Sequence, residues 1–146
     1  PDCIRALEEG RVIDIRSPKA VRPWEHVLEP LSGYMLLAQL MWDNPTEYCE
    51  GWNFGPEAEG VSTVWEVASE VIKNYGSGEL KDSSDPNAVH EANLLMLNIN
   101  KAKSRLGWYP RMNMQQCMEL VVDWYKRYQM EDVYELCVEE ITKFIR

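Results

Sequence analysis

One short segment combines residue types that bind phosphate and flat rings. Arg22, Pro23 and Trp24 place a permanently charged, bidentate donor beside a large ring on a constrained backbone. This arrangement suits a phosphate next to a sugar or a base. In the alternative interpretation Trp24 belongs to the core and Arg22 pairs with a surface carboxylate, and the segment taken alone favours that alternative.

The two histidines are the other polar candidates. His90 with Glu91 could position a ligand hydroxyl or phosphate, although such a pair in a solvated loop is at least as common. His26 stands where a helix is expected to begin. Histidine at such a position more often caps or packs than acts as a general base.

The sequence lacks the motifs on which common catalytic sites are built. Gly76 and Gly78 form the nearest approach to a dinucleotide-binding turn, but they follow a predicted helix and lack the third glycine. No tyrosine is followed four residues later by lysine, and no P-loop, nucleophile elbow or His-Glu-x-x-His motif occurs. We therefore predict no catalytic and no cofactor-binding residue in this chain.

The cysteines argue against a metal site. Zinc sites draw their ligands from closely spaced pairs, whereas the four cysteines are tens of residues apart, at Cys3, Cys49, Cys117 and Cys137. We expect reduced, mostly buried thiols and no metal, which is typical of a cytoplasmic protein.

Composition narrows the class of protein. The 146 residues are 45% apolar and 27% charged, as in a single globular domain spanning residues 1–146. The net charge is −9, and residues 25–99 hold 13 acids but two bases, so a nucleic-acid partner is not expected. No apolar run reaches the roughly 18 residues of a membrane span, so no membrane partner is expected either.

Periodicity predicts a mixed, helix-rich α/β fold with short strands. Capping boxes at Thr63 with Glu66 and at Asn113 with Gln116 mark two helix starts. A third helix, over 27–42, has a stripe at helical spacing that we expect to face the core, Trp42 included. The predicted helices are 4–9, 27–42, 64–75, 100–106, 114–125 and 132–145, and the predicted strands are 12–15, 50–56, 79–81 and 95–99.

Four segments occur in this order in one enzyme family: PDCIRAL at 1–7, RPWEHVLEPLSGY at 22–34, GWNFGP at 51–56 and SRLGWYP at 104–110. On these segments the chain resembles the C-terminal, substrate-binding part of the CDP-glucose 4,6-dehydratases. These are extended short-chain dehydrogenases/reductases that act on nucleotide sugars. The resemblance covers nearly the whole chain, and the RPW to GY segment is specific to this branch.

The resemblance implies a division of labour between two parts of an enzyme. The family's N-terminal Rossmann domain holds NAD and the catalytic tyrosine and lysine, and the C-terminal part supplies the substrate pocket. NAD-dependent oxidation at C4 of the sugar, loss of water across C5 and C6, and return of hydride to C6 give a 4-keto-6-deoxy sugar. We expect this chain to be a truncated enzyme without its Rossmann domain and inactive alone.

The resemblance also implies roles for particular residues. Arg22 corresponds to an arginine that contacts the nucleotide diphosphate, and Trp24 to an aromatic beside the ribose or base. Asn53 lies in a strand-end motif near the diphosphate. His90 and Glu91 match a loop in which relatives often hold a phosphate-binding arginine, but here the loop is preceded by Asp-Pro-Asn at 85–87. The expected ligand is a CDP-sugar or another nucleotide sugar.

Without its Rossmann domain the chain is expected to expose Trp52 and Phe54 on an unpaired strand. Such a surface favours association, so we expect a homo-oligomer or a partnership with a missing N-terminal half. The main alternative function is a stand-alone interaction or dimerisation module that has lost its ligand. A third hypothesis is a small enzyme of different chemistry that uses His26 or His90 with a carboxylate.

Overall fold

The computed structural model describes residues 1–58, 61–85 and 94–146. The helices are α1 (Asp2–Glu8), α2 (Leu28–Asp43), α3 (Pro45–Tyr48), α4 (Val64–Tyr75), α5 (Met114–Arg127) and α6 (Val133–Ile145). The strands are β1 (Ile13–Ile15), β2 (Val21–Arg22), β3 (Ser62–Thr63) and β4 (Leu80–Asp82), and a π-helical turn spans Ala102–Leu106. The mixed, helix-rich α/β fold predicted from the sequence is confirmed. Within the described residues, no helix is long and apolar enough to cross a membrane.

The strands form two small ladders. β1 pairs in parallel with β4, with Ile13 opposite Leu80. β2 pairs antiparallel with β3, with Arg22 opposite Ser62. Beside β2, Leu94 makes one isolated parallel bridge to Val21. The ladder between β2 and β3 therefore fixes the backbone of the Arg22 segment.

Two strands predicted from sequence are absent as strands. Residues 51–57 and 95–99 have no regular secondary structure, and in the described part of the chain neither joins a ladder. Their side chains pack instead: Phe54 and Ile99 are buried in one cluster, and Leu97 lies where a Cβ on Gly55 would meet it at 3.1 Å. Aromatic and β-branched residues suit both a strand and a packed segment without regular secondary structure, so composition alone cannot separate the two.

The predicted helix starts are largely correct. Thr63 with Glu66, and Asn113 with Gln116, form complete capping boxes at α4 and α5. At the helix predicted over 100–106, Asn98 supplies a side-chain acceptor for the Asn100 N–H at 3.0 Å. All of these are local contacts within a few residues, which is why the sequence reveals them.

Two apolar clusters hold the chain together. The first lies between α1, β1, α4 and α5, and its buried members include Leu7, Ile15, Val71, Met118 and Val122. The second joins α2 to the π-helical turn and consists of buried Phe54, Ile99, Ala102, Leu106 and Trp108. Phe54 meets Trp108 edge to face with ring centroids 4.9 Å apart.

Helix α2 buries the face opposite to the one predicted. Glu29 and Gly33 are buried, while Met35 and Trp42 are 73% and 89% exposed. The assignment of Trp42 to the core is therefore wrong. The helix is apolar on both sides, so periodicity could not choose between them; Gly33 decides, because its missing side chain lets the Phe54 ring lie against the helix.

The prediction that Phe54 is exposed is also wrong. Phe54 is 6% exposed, packed against Tyr34 and Trp108. Trp52 is half-buried beneath the cations of Lys101 and Arg105. Among the described residues, the exposed large apolar side chains include several on α2 and α6, together with Leu94, Leu95 and Met96.

The four cysteines are free thiols, as expected from their spacing. Cys117 is buried, Cys3 and Cys137 are half-buried and Cys49 is exposed, so the expectation of mostly buried thiols holds fully only at Cys117. Burial raises the pKa of Cys117 to about 11. Its thiol is therefore an inert packing group.

Candidate functional site

Arg22 and Trp24 are held in one rigid turn. The Trp24 N–H donates to the Arg22 carbonyl at 2.9 Å across Pro23, and the Trp24 indole Nε1 donates to the Ser62 carbonyl at 3.1 Å. The Arg22 Nη1 donates to the carbonyl of Val21 at 2.9 Å. Both side chains are half-buried, and Trp24 packs against the first core cluster. The packing role weighed for Trp24 is thus present, and a ligand contact stays a prediction.

Asn53 lies on another segment of the chain. It lies between Trp52 and Phe54, and its side chain is exposed. Its Nδ2 donates to the Asn98 carbonyl at 3.5 Å, which ties two segments without regular secondary structure together. A role near a diphosphate stays a prediction for Asn53. His90 and Glu91 lie outside the described residues, so their predicted role also stays a prediction.

His26 is a packing and capping residue, as its position predicts. The imidazole is buried, and its Nδ1 accepts from the Leu28 N–H at 3.3 Å at the start of α2. Burial lowers the pKa of His26, so the ring is neutral at physiological pH. This arrangement does not favour His26 as a general base.

Glu29 is a structural residue that the sequence analysis missed. It is 1% exposed, and its Oε1 accepts from the backbone N–H groups of Arg111 at 2.9 Å and Met112 at 2.7 Å. Nearby, the Trp108 indole donates to the Ser32 hydroxyl at 2.9 Å. Together these bonds attach the loop before α5 to the first turns of α2. An acid directly before the uncharged apolar run 30–42 was the signal that could have revealed it.

Half-buried Glu25 lies within electrostatic reach of buried Glu29. In the described part of the chain, the Oε2 atoms of both side chains are buried without a hydrogen-bond partner. Burial, together with the charge of Glu29, raises the pKa of Glu25 to about 7. Removing water from a carboxylate disfavours its charged form, so Glu25 holds its proton well above the usual range.

Glu25→Gln is expected to stabilise the protein in alkaline but not in acidic solution. The folded-state pKa lies above the ordinary 4.5, so the folded protein holds a proton that the unfolded chain releases. That contribution is complete below about pH 4.5 and is lost as the pH rises through about 7. Urea unfolding of the unsubstituted protein and of Glu25→Gln, at about pH 4 and about pH 8, checks this prediction. The free energies of unfolding of the two proteins should differ only at about pH 8. Equal differences at both pH values would contradict the assignment.

Open clefts among the described residues include the following two. One, of about 540 Å³, lies beside α1 and β1 and includes Arg5, Arg11 and Arg16. The other, of about 400 Å³, lies along Trp108 and Tyr109. Arg22, Trp24 and Asn53 line neither cleft. Among the described residues, no group of three or more histidine, cysteine or acidic side chains could hold a metal ion.

Comparisons with known proteins define the class of the fold. No protein-family model matches the sequence. The structure superposes on dTDP-glucose 4,6-dehydratase from Bacillus anthracis in complex with NAD, with a TM-score of 0.69, 20% identity, and coverage of 86% of this chain and 37% of that one. It also superposes on UDP-glucose 4-epimerase from Thermotoga maritima with UDP-glucose, with a TM-score of 0.67, 19% identity, and coverage of 88% and 39%. The fold is that of one part of the nucleotide-sugar dehydratases and epimerases.

Sequence similarity then points to a particular relative. The chain is 38% identical over 122 residues to CDP-glucose 4,6-dehydratase from Salmonella typhimurium, a match that covers 84% of this chain. It spans 34% of that relative's length, in the C-terminal part. The resemblance predicted from the four sequence segments is confirmed.

Proposed function

We propose that this chain is the nucleotide-sugar-binding portion of an NAD-dependent CDP-sugar dehydratase and does not catalyse the reaction alone. The observation that carries the proposal is the 38% identity over 122 residues with a CDP-glucose 4,6-dehydratase. In this account residues 1–146 act as one substrate domain, and the four free thiols suit the cytoplasm. On the family resemblance, we assign NAD and the groups that move protons to the part of the relative that this chain does not match.

Arg22 is the residue to which we assign the diphosphate. A guanidinium binds phosphate oxygens through two parallel hydrogen bonds and keeps its charge at any physiological pH. The β2 ladder and the bond to the Val21 carbonyl hold its backbone and side chain in one place. The Trp24 ring, fixed by Ser62, is assigned to the ribose or base. Pre-positioned groups of this kind lower the cost of ordering a ligand.

Asn53, His90 and Glu91 complete the proposed ligand contacts. The Asn53 amide is exposed and can both donate and accept hydrogen bonds. We assign it to the diphosphate, and His90 with Glu91 to a sugar hydroxyl or phosphate. These three assignments rest on the resemblance of the surrounding sequence segments.

The outward face of α2 is the surface we assign to contact with the NAD-binding portion. Leu31, Tyr34, Met35 and Trp42 are exposed there, and residues 30–42 contain no charged side chain. Large exposed apolar patches mark contact surfaces. The matched relative is about three times as long as the region it shares with this chain, since the match spans 34% of it.

Binding of CDP-glucose is the direct test of the Arg22 assignment. We expect saturable binding in the millimolar range, weakened about 10-fold to 100-fold by Arg22→Ala, because a charged hydrogen bond contributes about 1.5–3 kcal/mol. Arg5→Ala is the matched control, because Arg5 is exposed on α1 and pairs with Asp2 at 3.0 Å. Isothermal titration calorimetry measures both. Equal affinity of the two variants would overturn the assignment.

The exposed face of α2 also favours a second candidate function, a protein-interaction module without a ligand. The binding domain and the interaction module differ in which substitution would abolish binding and in which partner they bind. A module of this kind would bind no CDP-glucose at millimolar concentration, and Met35→Lys would abolish its protein contact. A binding domain would keep CDP-glucose affinity in Met35→Lys, because Met35 lies on α2 and not on the Arg22 turn.

A further inference from the structure

The chain is anchored on both sides of Asn53, although it has no regular secondary structure there. On one side, the Trp52 indole Nε1 donates to the Tyr48 carbonyl at 3.0 Å. On the other side, Phe54 is 6% exposed and packs in the second core cluster. Asn53 itself is exposed, and its bond to the Asn98 carbonyl is 3.5 Å long, which is weak. A firmly held backbone therefore presents a polar amide to solvent.

Two cations beside the π-helical turn hold the Trp52 ring. Lys101 lies directly before this turn, and Arg105 lies within it. The Lys101 Nζ is 4.4 Å and the Arg105 guanidinium carbon 5.2 Å from the centroid of the indole ring. Cations at such distances are attracted to the face of an aromatic ring. The ring is consequently fixed from the side of the π-helical turn.

Glu50 joins the two cations into one cluster. Its carboxylate binds the Lys101 Nζ at 2.7 Å and also binds Arg105. The hydrogen bond from Lys101 is the main cause that lowers the pKa of Glu50, so this carboxylate keeps its charge at physiological pH. The Lys101 Nζ also donates to the Gly51 carbonyl at 2.8 Å. We call Glu50, Trp52, Lys101 and Arg105 the Trp52 clamp.

The Trp52 clamp acts mainly on the direction of the backbone. The side chains of Glu50, Lys101 and Arg105 are between 37% and 40% exposed. Ion pairs with this exposure contribute little to the stability of a fold. Their common effect is to hold residues 51 and 52, which directly precede Asn53. Lys101 is central, because it contacts the carboxylate, the ring and a backbone carbonyl.

One short segment joins the surroundings of Asn53 to those of Arg22. The Leu95 N–H donates to the carbonyl of Val21, the residue before Arg22, at 3.2 Å. Three residues further on, the Asn98 carbonyl accepts from the Asn53 amide. The Cα atoms of Leu95 and Asn98 are at most about 11 Å apart, because three extended residues reach no further. This closeness favours a single ligand for Arg22 and Asn53.

We infer that Lys101 is a positioning residue, which holds the chain before Asn53 so that the Asn53 amide is ordered before a nucleoside diphosphate binds. The inference rests on the proposed function, in which Asn53 contacts the diphosphate. Lys101 itself contacts no ligand in this account. An amide that is already ordered avoids part of the entropic cost of binding.

A double-mutant cycle on CDP-glucose binding tests this role. We expect Lys101→Met to weaken binding about 3-fold to 10-fold in the unsubstituted chain, and by less than about 2-fold in an Asn53→Ala background. Lys101→Arg keeps a cation with N–H donors and should retain most of the affinity. Lys73→Met is the matched control, because Lys73 is an exposed lysine of α4 that pairs with Glu70 at 3.0 Å. Isothermal titration calorimetry measures the affinities, and circular dichroism shows that each variant is folded.

The cycle separates this inference from the proposed function. Equal weakening by Lys101→Met in both backgrounds would show a general effect on stability and overturn the inference. Binding that is unaffected by Lys101→Met would overturn it as well, while leaving the proposed function intact. Absence of binding by the unsubstituted chain would overturn the proposed function, and the inference with it.

Nuclear magnetic relaxation of the ligand-free chain gives a second test that needs no nucleotide sugar. We expect an order parameter of about 0.85 for the Asn53 backbone N–H in the unsubstituted chain, as in rigid backbone, and a value below about 0.6 in Lys101→Met. Lys73→Met should leave the order parameter unchanged. The same value in Lys101→Met as in the unsubstituted chain would overturn the inference.

Discussion

Glu29→Ala is expected to lower the free energy of unfolding by about 2–4 kcal/mol, because it leaves two backbone donors without an acceptor. The Glu29 Oε1 accepts from the N–H groups of Arg111 and Met112 at 2.9 Å and 2.7 Å. The side chain is 1% exposed, so water cannot readily replace it. The loss should also loosen the attachment of the loop before α5 to α2.

Urea unfolding of Glu29→Ala and Glu29→Gln measures this contribution. Gln keeps the volume and one carbonyl acceptor, so it should retain much of the stability that Ala loses. Gln also removes the charge that raises the pKa of Glu25, and should therefore shift the pH at which Glu25 titrates downward. Equal unfolding free energies for the two variants would show that Glu29 does not support the loop through its oxygen.

Gly33→Ala is expected to destabilise the protein by about 1–3 kcal/mol through overpacking. A Cβ at this position would lie 2.3 Å from Cδ1 and 2.4 Å from Cε1 of the Phe54 ring. The ring cannot simply move away, because Tyr34 and Trp108 pack against it with centroids 5.5 Å and 4.9 Å distant. The added methyl must therefore displace either α2 or the segment that carries Phe54.

Gly51→Ala is the matched control for this substitution. A Cβ at Gly51 meets no atom within 4 Å, so the change should be close to neutral. Thermal unfolding of both variants gives the comparison. A similar melting temperature for the two would contradict the packing of Phe54 against Gly33.

The sequence could predict local contacts of this fold but not the distant contact between Gly33 and Phe54. The capping boxes at Thr63 and Asn113 depend on contacts within four residues, and both are present where predicted. The buried face of α2 depends on Phe54, which is 21 residues from Gly33 along the chain. Because α2 is apolar on both sides, only that distant contact determines which side is covered.

In the candidate site too, the sequence could predict the local turn but not the contacts between distant segments. The constrained backbone expected around Pro23 is present, and it holds Arg22 and Trp24 in one turn. The Glu29 acceptor could not be paired from sequence, since its donors are backbone groups in a loop more than 80 residues away. Backbone donors carry no residue signature, so only the unusual acid itself was visible.

The proposed function has two parts: the chain binds a CDP-sugar, and it does not convert that sugar. Nuclear magnetic resonance spectra of ¹³C-labelled CDP-glucose, recorded with the chain and NAD, test both parts at once. We expect nucleotide-sugar signals that broaden as protein is added, with no signals of a 4-keto-6-deoxy sugar. Signals that stay sharp at every protein concentration, or the appearance of the product, would contradict it.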